Sequence, residues 1–145
     1  MVVMESTKVL NLTQHSATPE QIAQGVVEPT PEVKAQIQSL LTFEELPGPK
    51  EIIRRATRLA DIAAECGVEA AMIGGAPYLM AELERTLLFG GVNPLYAFSR
   101  RESVDQVQPD GSVKKVAVFR HVGFVPAVTQ GDCWNYIAEL AKEES

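Results

Sequence analysis

The segment from Glu69 to Ser99 constrains the fold of this chain more than any other. Glu69–Ile73 (EAAMI) is an apolar run long enough for a buried strand and too short for a helix. Gly74-Gly75-Ala76-Pro77 breaks it, and Leu79, Met80, Leu83, Leu87 and Leu88 then recur at helical spacing through Tyr78–Phe89. Gly90-Gly91 stops that helix, and Leu95–Ser99 (LYAFS) reads as a further strand. A strand, a crossover helix and a strand in this order pair in parallel with a right-handed connection. The core is therefore α/β.

The other elements fit around this unit. Val9–Thr13 (VLNLT) predicts a first buried strand. Thr18-Pro19-Glu20-Gln21 combines a capping residue, a proline suited to the first helical position and the glutamine of a capping box, so a helix of about two turns follows and ends at Gly25. Thr30-Pro31-Glu32 repeats the signal ahead of Val33, Ile37, Leu40 and Leu41. Pro47-Gly48-Pro49 makes a turn of the residues after Thr42. Lys50–Glu65 carries one wide apolar stripe and is the clearest helix. Val104–Val107 and Val113–Phe119 flank the turn sequence Gln108-Pro109-Asp110-Gly111-Ser112, which predicts a hairpin on the sheet edge, with His121–Val125 ending it. From Asp132 the tail places Trp134, Ile137, Leu140 and Ala141 at helical spacing.

At 145 residues the chain matches one domain, with residues 1–7 expected to be disordered and 127–145 to form a helical extension. No apolar run approaches the roughly 20 residues of a membrane span, and Met1–Lys8 lacks a secretory signal, so the expected location is the cytoplasm. A net charge of -6 argues against gripping long nucleic acid through many phosphates. It permits a small anionic ligand held by a local cluster such as Arg100, Arg101 and Arg120. Cys66 and Cys133 form no CxxC pair, and the two histidines are far apart with no clustered carboxylates, so neither a metal nor any other cofactor is expected.

In an open α/β sheet, ligands bind beyond the carboxyl ends of parallel strands, where loops diverge and helix N-termini present free N–H groups. Three such exits are expected to converge. The first offers Asn11, Thr13, Gln14 and His15, which either serve a ligand or satisfy the local backbone. The second offers Gly74, Gly75 and Ala76, where a ligand can approach the main chain closely; the turn lacks the spacing of a dinucleotide fingerprint or a P-loop and also suits tight helix packing. The third offers Ser99, Arg100, Arg101 and Glu102, with one arginine free for phosphate and the other paired to Glu102. Of Arg120 and His121, alternation turns only one toward the site.

The polar turn after the first strand, Thr18-Pro19-Glu20-Gln21, then Leu95–Glu102, Asp110-Gly111 and Phe119–Phe124 together resemble the small CRISPR-associated accessory proteins of type III systems. These are Rossmann-like dimers regarded as ring nucleases that degrade cyclic oligoadenylate messengers. The resemblance implies a small Rossmann-like three-layer α/β domain with a mostly parallel sheet and a C-terminal β-hairpin on its edge, assembled as a homodimer in prokaryotic or phage defence. It implies metal-free cleavage by the ligand's own 2′-hydroxyl, with His15, His121 or Ser99 in catalysis and Arg100, Arg101 or Arg120 on phosphate. Two other functions compete: a nucleotide sponge that binds without turnover, and a protein-interaction module with no small ligand.

Overall fold

The computed structural model describes residues 7–127 and 139–143. It is a mixed α/β structure with five strands in the order β2-β1-β3-β4-β5. The strands are β1 (Val9–Asn11), β2 (Val26–Val27), β3 (Ala70–Met72), β4 (Asn93–Val107) and β5 (Val113–Pro126). The helices are α1 (Pro19–Ala23), α2 (Pro31–Leu41), α3 (Pro49–Glu65) and α4 (Pro77–Phe89). β1 pairs in parallel with β2 and β3, β3 pairs in parallel with β4, and β5 returns antiparallel on β4.

Each helix begins where its sequence signal lies. Thr18 and Gln21 form the reciprocal capping box of α1, Thr30 accepts from the Val33 N–H at α2, and a proline opens all four helices. α1 is shorter than its signal suggested, five residues, because Gly25 takes φ 103° and turns the chain directly into β2. β2 itself has only Val26 and Val27, too short a run for an alternation signal to mark.

Strand alternation divides the core. Leu10, Leu12, Ala71 and Ile73 pack with Ile37, Leu59, Leu79 and Leu83 from the helices on one face. Val9, Val26, Ala70 and Met72 form a smaller cluster on the other, covered by Ala17, Leu95 and Phe124. Among the described residues no helix is long and apolar enough to cross a membrane.

The largest departure from expectation lies at the hairpin. Leu95–Ser99 and Val104–Val107 are one strand, β4, and Val113–Phe119 and His121–Val125 are likewise one, β5. Ser99-Arg100-Arg101-Glu102 is consequently the middle of a strand, not a loop beyond a strand end. Four consecutive polar residues hide this strand because a two-stranded ribbon outside the sheet buries neither face fully, so apolar alternation is only weakly enforced. Residues 1–6, expected to be disordered, lie outside the described residues, as does most of the expected C-terminal helix; residues 139–143 are helical.

The ribbon leaves the sheet at a bulge. Phe98 pairs with Gly123 but Ser99 pairs with His121, leaving Val122 unopposed. The Val122 carbonyl thus freed accepts from Gln24 Nε2 at 3.0 Å.

A Cβ on Gly25 would lie 2.5 Å from the Thr7 carbonyl oxygen, in a conformation that side chains resist. Gly25→Ala is expected to destabilise the protein by about 1–3 kcal/mol or more, measured by urea unfolding.

Candidate functional site

Asn11 is a fully buried polar residue on an otherwise apolar strand. It lies one step beyond the Leu10–Val27 pair, on the same side of the sheet as Val9, and so meets Glu28 just past β2. Its Nδ2 donates to Glu28 Oε1 at 2.8 Å and to the His15 carbonyl at 2.7 Å. Its Oδ1 accepts from the Thr13 N–H at 2.9 Å and from Thr13 Oγ1 at 2.6 Å. Both amide hydrogens and the carbonyl oxygen are used, which is the condition for burying the group without penalty.

The same network shapes the loop after β1. Glu28 Oε1 also accepts from the Ala17 N–H at 2.5 Å. Lys34 Nζ donates to the Thr13 and His15 carbonyls, each at 2.8 Å, with Glu28 Oε2 at 3.9 Å. Burial holds the Lys34 ammonium below its usual range, with the Glu28 carboxylate pulling the other way. Gln14 Nε2 reaches Thr42 Oγ1 at 3.0 Å, and its carbonyl accepts from Gln38. Glu28 and Lys34 carry no motif in the sequence, since their role depends on the pairing of β1 with β2.

Beyond this loop lies a cleft of about 460 Å³ at the carboxyl ends of β1, β3 and β4. Thr13–Ser16 form one wall, Ile73, Gly74 and Gly75 another, and Tyr96 and Ala97 a third, with Thr18 and Gln21 contributing from the cap of α1. Among the described residues the His15 imidazole and the Ser16 hydroxyl have no hydrogen-bond partner, and both residues are exposed. Among the described residues no carboxylate lines the cleft, and its ionisable side chains are His15 and Tyr96. Tyr96 is half-buried; burial, reinforced by the Glu84 carboxylate that its hydroxyl hydrogen-bonds, pushes the phenol up to about 12.

Of the residues expected at the site, Thr13, Gln14, His15, Gly74 and Gly75 line the cleft. Asn11 lies beneath, holding the wall, and Ala76 is the N-cap of α4 beside it. Ser99, Arg100, Arg101, Arg120 and His121 stand on the ribbon and are not among its lining residues. The partner of Glu102 is Arg120, at 2.6 Å, and neither Arg100 nor Arg101. His121 Nε2 lies 2.8 Å from Gln24 Oε1; because Gln24 Nε2 donates to Val122, the imidazole is the donor, and its Nδ1 is buried without a partner. Among the described residues no three His, Cys, Asp or Glu side chains gather as a metal site would require.

A larger open depression of about 630 Å³ follows α2. There the Arg55 guanidinium is spent on the Leu40 and Thr42 carbonyls, on Glu51 and on the face of Phe43, closing the end of α2. Its arginine and Glu51 are matched internally, while its remaining charged groups, Glu44 and Glu45, are carboxylates that disfavour an anion.

The model of the Uncharacterized protein MJ1673 family matches residues 7–125. The chain belongs to the MJ1673 family. The matched span includes every element from β1 to Val125 of β5, and with them all the walls of the cleft. No curated protein and no solved structure matches the chain.

Two measurements check this account. Asn11→Ala leaves Glu28, the Thr13 N–H and the His15 carbonyl short of partners and is expected to destabilise by about 1–3 kcal/mol in denaturant unfolding. A phenol retained as neutral to about 12 in the fold, against 10.0 ordinarily, binds a proton that the unfolded chain has lost, so its stabilising contribution is complete below pH 10 and falls as pH rises through 12. Absorbance titration is expected to show one tyrosine ionising near 12 that Tyr96→Phe removes, together with a shallower loss of stability in that variant across the same window.

Proposed function

We propose that the cleft binds a small phosphate-containing ligand of the nucleotide class, and that the fold is Rossmann-like in this functional sense. The observation that carries the reading is the position of the cleft. β1 connects outward to β2 and β3 connects the opposite way to β4, so the order β2-β1-β3-β4 reverses between β1 and β3. Ligands of open α/β sheets bind outside the carboxyl ends of the strands at such a reversal, and the walls Thr13–Ser16 and Ile73–Gly75 flank it.

The lining supports a phosphate more than a cation. Among the described residues it contains no carboxylate, and Gly74-Gly75-Ala76 leads into α4, where Pro77 has no N–H, Leu79 and Met80 donate to the Ala76 carbonyl, and the Tyr78 N–H is left at the helix start. In this reading phosphate lies against that main chain, and His15 faces it from the β1 loop. A cyclic oligoadenylate is the ligand suggested by the resemblance to type III accessory proteins. Attack by a ligand's own 2′-hydroxyl on its 3′–5′ linkage requires a proton acceptor and no protein nucleophile, and imidazole is the side chain suited to that exchange near neutral pH. His15 then takes the hydroxyl proton as the 2′-oxygen bonds phosphorus, and the proton passes to the departing 5′-oxygen as its bond to phosphorus breaks, giving a 2′,3′-cyclic phosphate and a 5′-hydroxyl. Capture without cleavage uses the same walls and leaves His15 as a hydrogen-bond donor.

A thermal-shift screen of linear and cyclic adenylates, with chromatography of the products, tests the proposal. A rise in melting temperature that His15→Ala reduces is expected, and a product absent from the His15→Ala reaction identifies cleavage. No shift with any nucleotide, or an equal shift in His15→Ala, contradicts it.

A further inference from the structure

The hairpin of β4 and β5 outruns the sheet to which it belongs. β4 pairs with β3 only as far as Leu95, yet its pairing with β5 continues to Val107. From Ser99 to the turn the two strands have no third strand beside them, and at about 3.4 Å per residue this ribbon is about 30 Å long.

Its charge is opposite to that of the rest of the molecule. Residues 93–126 hold Arg100, Arg101, Lys114, Lys115 and Arg120 against Glu102, Asp105 and Asp110, a net +2 on a chain of -6. On the helices Arg54 and Arg55 share Glu51, Arg58 meets Glu65 and Arg85 meets Glu82. On the ribbon Arg120 meets Glu102, whereas among the described residues Arg100, Arg101, Lys114 and Lys115 meet no carboxylate.

The register sorts these groups onto two faces, because directly opposed residues of an antiparallel pair share a side. One face carries Arg100 opposite Arg120, Glu102 opposite Val118, Val104 opposite Val116 and Gln106 opposite Lys114, with Glu102, Val104, Val116 and Val118 partly covered. The other carries Arg101 opposite Phe119, Ser103 opposite Ala117 and Asp105 opposite Lys115, and every one of these is exposed, Phe119 at 72%. Charges on strand edges deter edge-to-edge pairing, but that purpose does not require an uncovered phenyl ring directly beside an arginine that meets no carboxylate, with Lys115 opposite Asp105 farther along the same face.

We propose that this second face binds a short single-stranded nucleic acid, stacking a base on Phe119 and holding the flanking phosphates with Arg101 and Lys115. The small side chains of Ser103 and Ala117 leave the strand's path open between them. Aromatic platforms in a cationic track bind single strands with little sequence preference, since every base has a face to stack. The acidic body excludes long duplex and confines the contact to the ribbon. The surface is distinct from the cleft, and its fate is independent of the ligand bound there.

Fluorescence anisotropy of a labelled oligodeoxythymidylate of about 12 nucleotides tests this on the full chain. Binding that weakens with salt is expected, with a loss of at least about tenfold in Phe119→Ala and a salt slope shallower by about 0.7 in each of Arg101→Ala and Lys115→Ala. Gln106→Ala, on the opposite face, is expected to leave affinity unchanged, with circular dichroism of all variants matching the parent. No anisotropy change at low salt, or equal affinity in Phe119→Ala, overturns the proposal. So does sedimentation showing a self-associated form that Phe119→Ala dissolves while the oligonucleotide goes unbound, because the face would then belong to a second copy of the chain.

Discussion

The burial of Asn11 is the constraint on which the rest of the site depends. An amide without solvent at the end of an apolar strand has to find all its partners inside the protein, and it finds them in Glu28, Thr13 and the main chain of His15. Those bonds fold the chain after β1 back over the strand end. Lys34 then closes the loop from outside by taking the same two carbonyl groups, Thr13 and His15. The His15 ring, which takes no part in this network, is left standing at the mouth of the cleft. One buried amide thus couples the pairing of β1 with β2 to the position of the His15 imidazole in the wall.

The molecule divides by how its arginines are matched. In the body, caps, carbonyls and guanidinium groups find partners: Arg55 alone closes α2, stacks on Phe43 and meets Glu51. The ribbon keeps cations and apolar side chains bare on the same surface. Between the two lies the bulge at Val122, and Gln24 at the end of α1 ties it down through the Val122 carbonyl and His121. The attachment of the ribbon is therefore fixed by the element that follows the cleft's first wall. An exposed ribbon whose cations lack carboxylate partners suits the binding arm proposed for it, since matching its charges internally would remove what a partner reads.

Much of the fold was legible because its signals are local. Thr18 with Gln21, Thr30 with Pro31, and the glycines around α4 act within a few residues of themselves, and the elements they punctuate lie where the sequence puts them. The β1 and β3 exits were legible for the same reason: each is an apolar run ending in residues that cannot continue it. What the sequence hid is set by distant pairing. β2 has two residues, and Glu28 and Lys34 matter only once β2 lies beside β1. Ser99–Glu102 read as a strand end because polar runs ordinarily end strands. In a ribbon with two open faces that inference loses its physical basis, so three arginines and His121 belong to an arm and not to the cleft wall.

The central claim, that the reversal between β1 and β3 is a ligand site for phosphate, is most directly tested by two-dimensional amide NMR during addition of adenosine monophosphate. Saturable shifts are predicted at Thr13–Ser16 and at Gly74, Gly75 and Ala76, the groups that wall the cleft and open α4. Shifts confined to the ribbon or to the depression after α2, or no saturable change at these amides, would contradict the account.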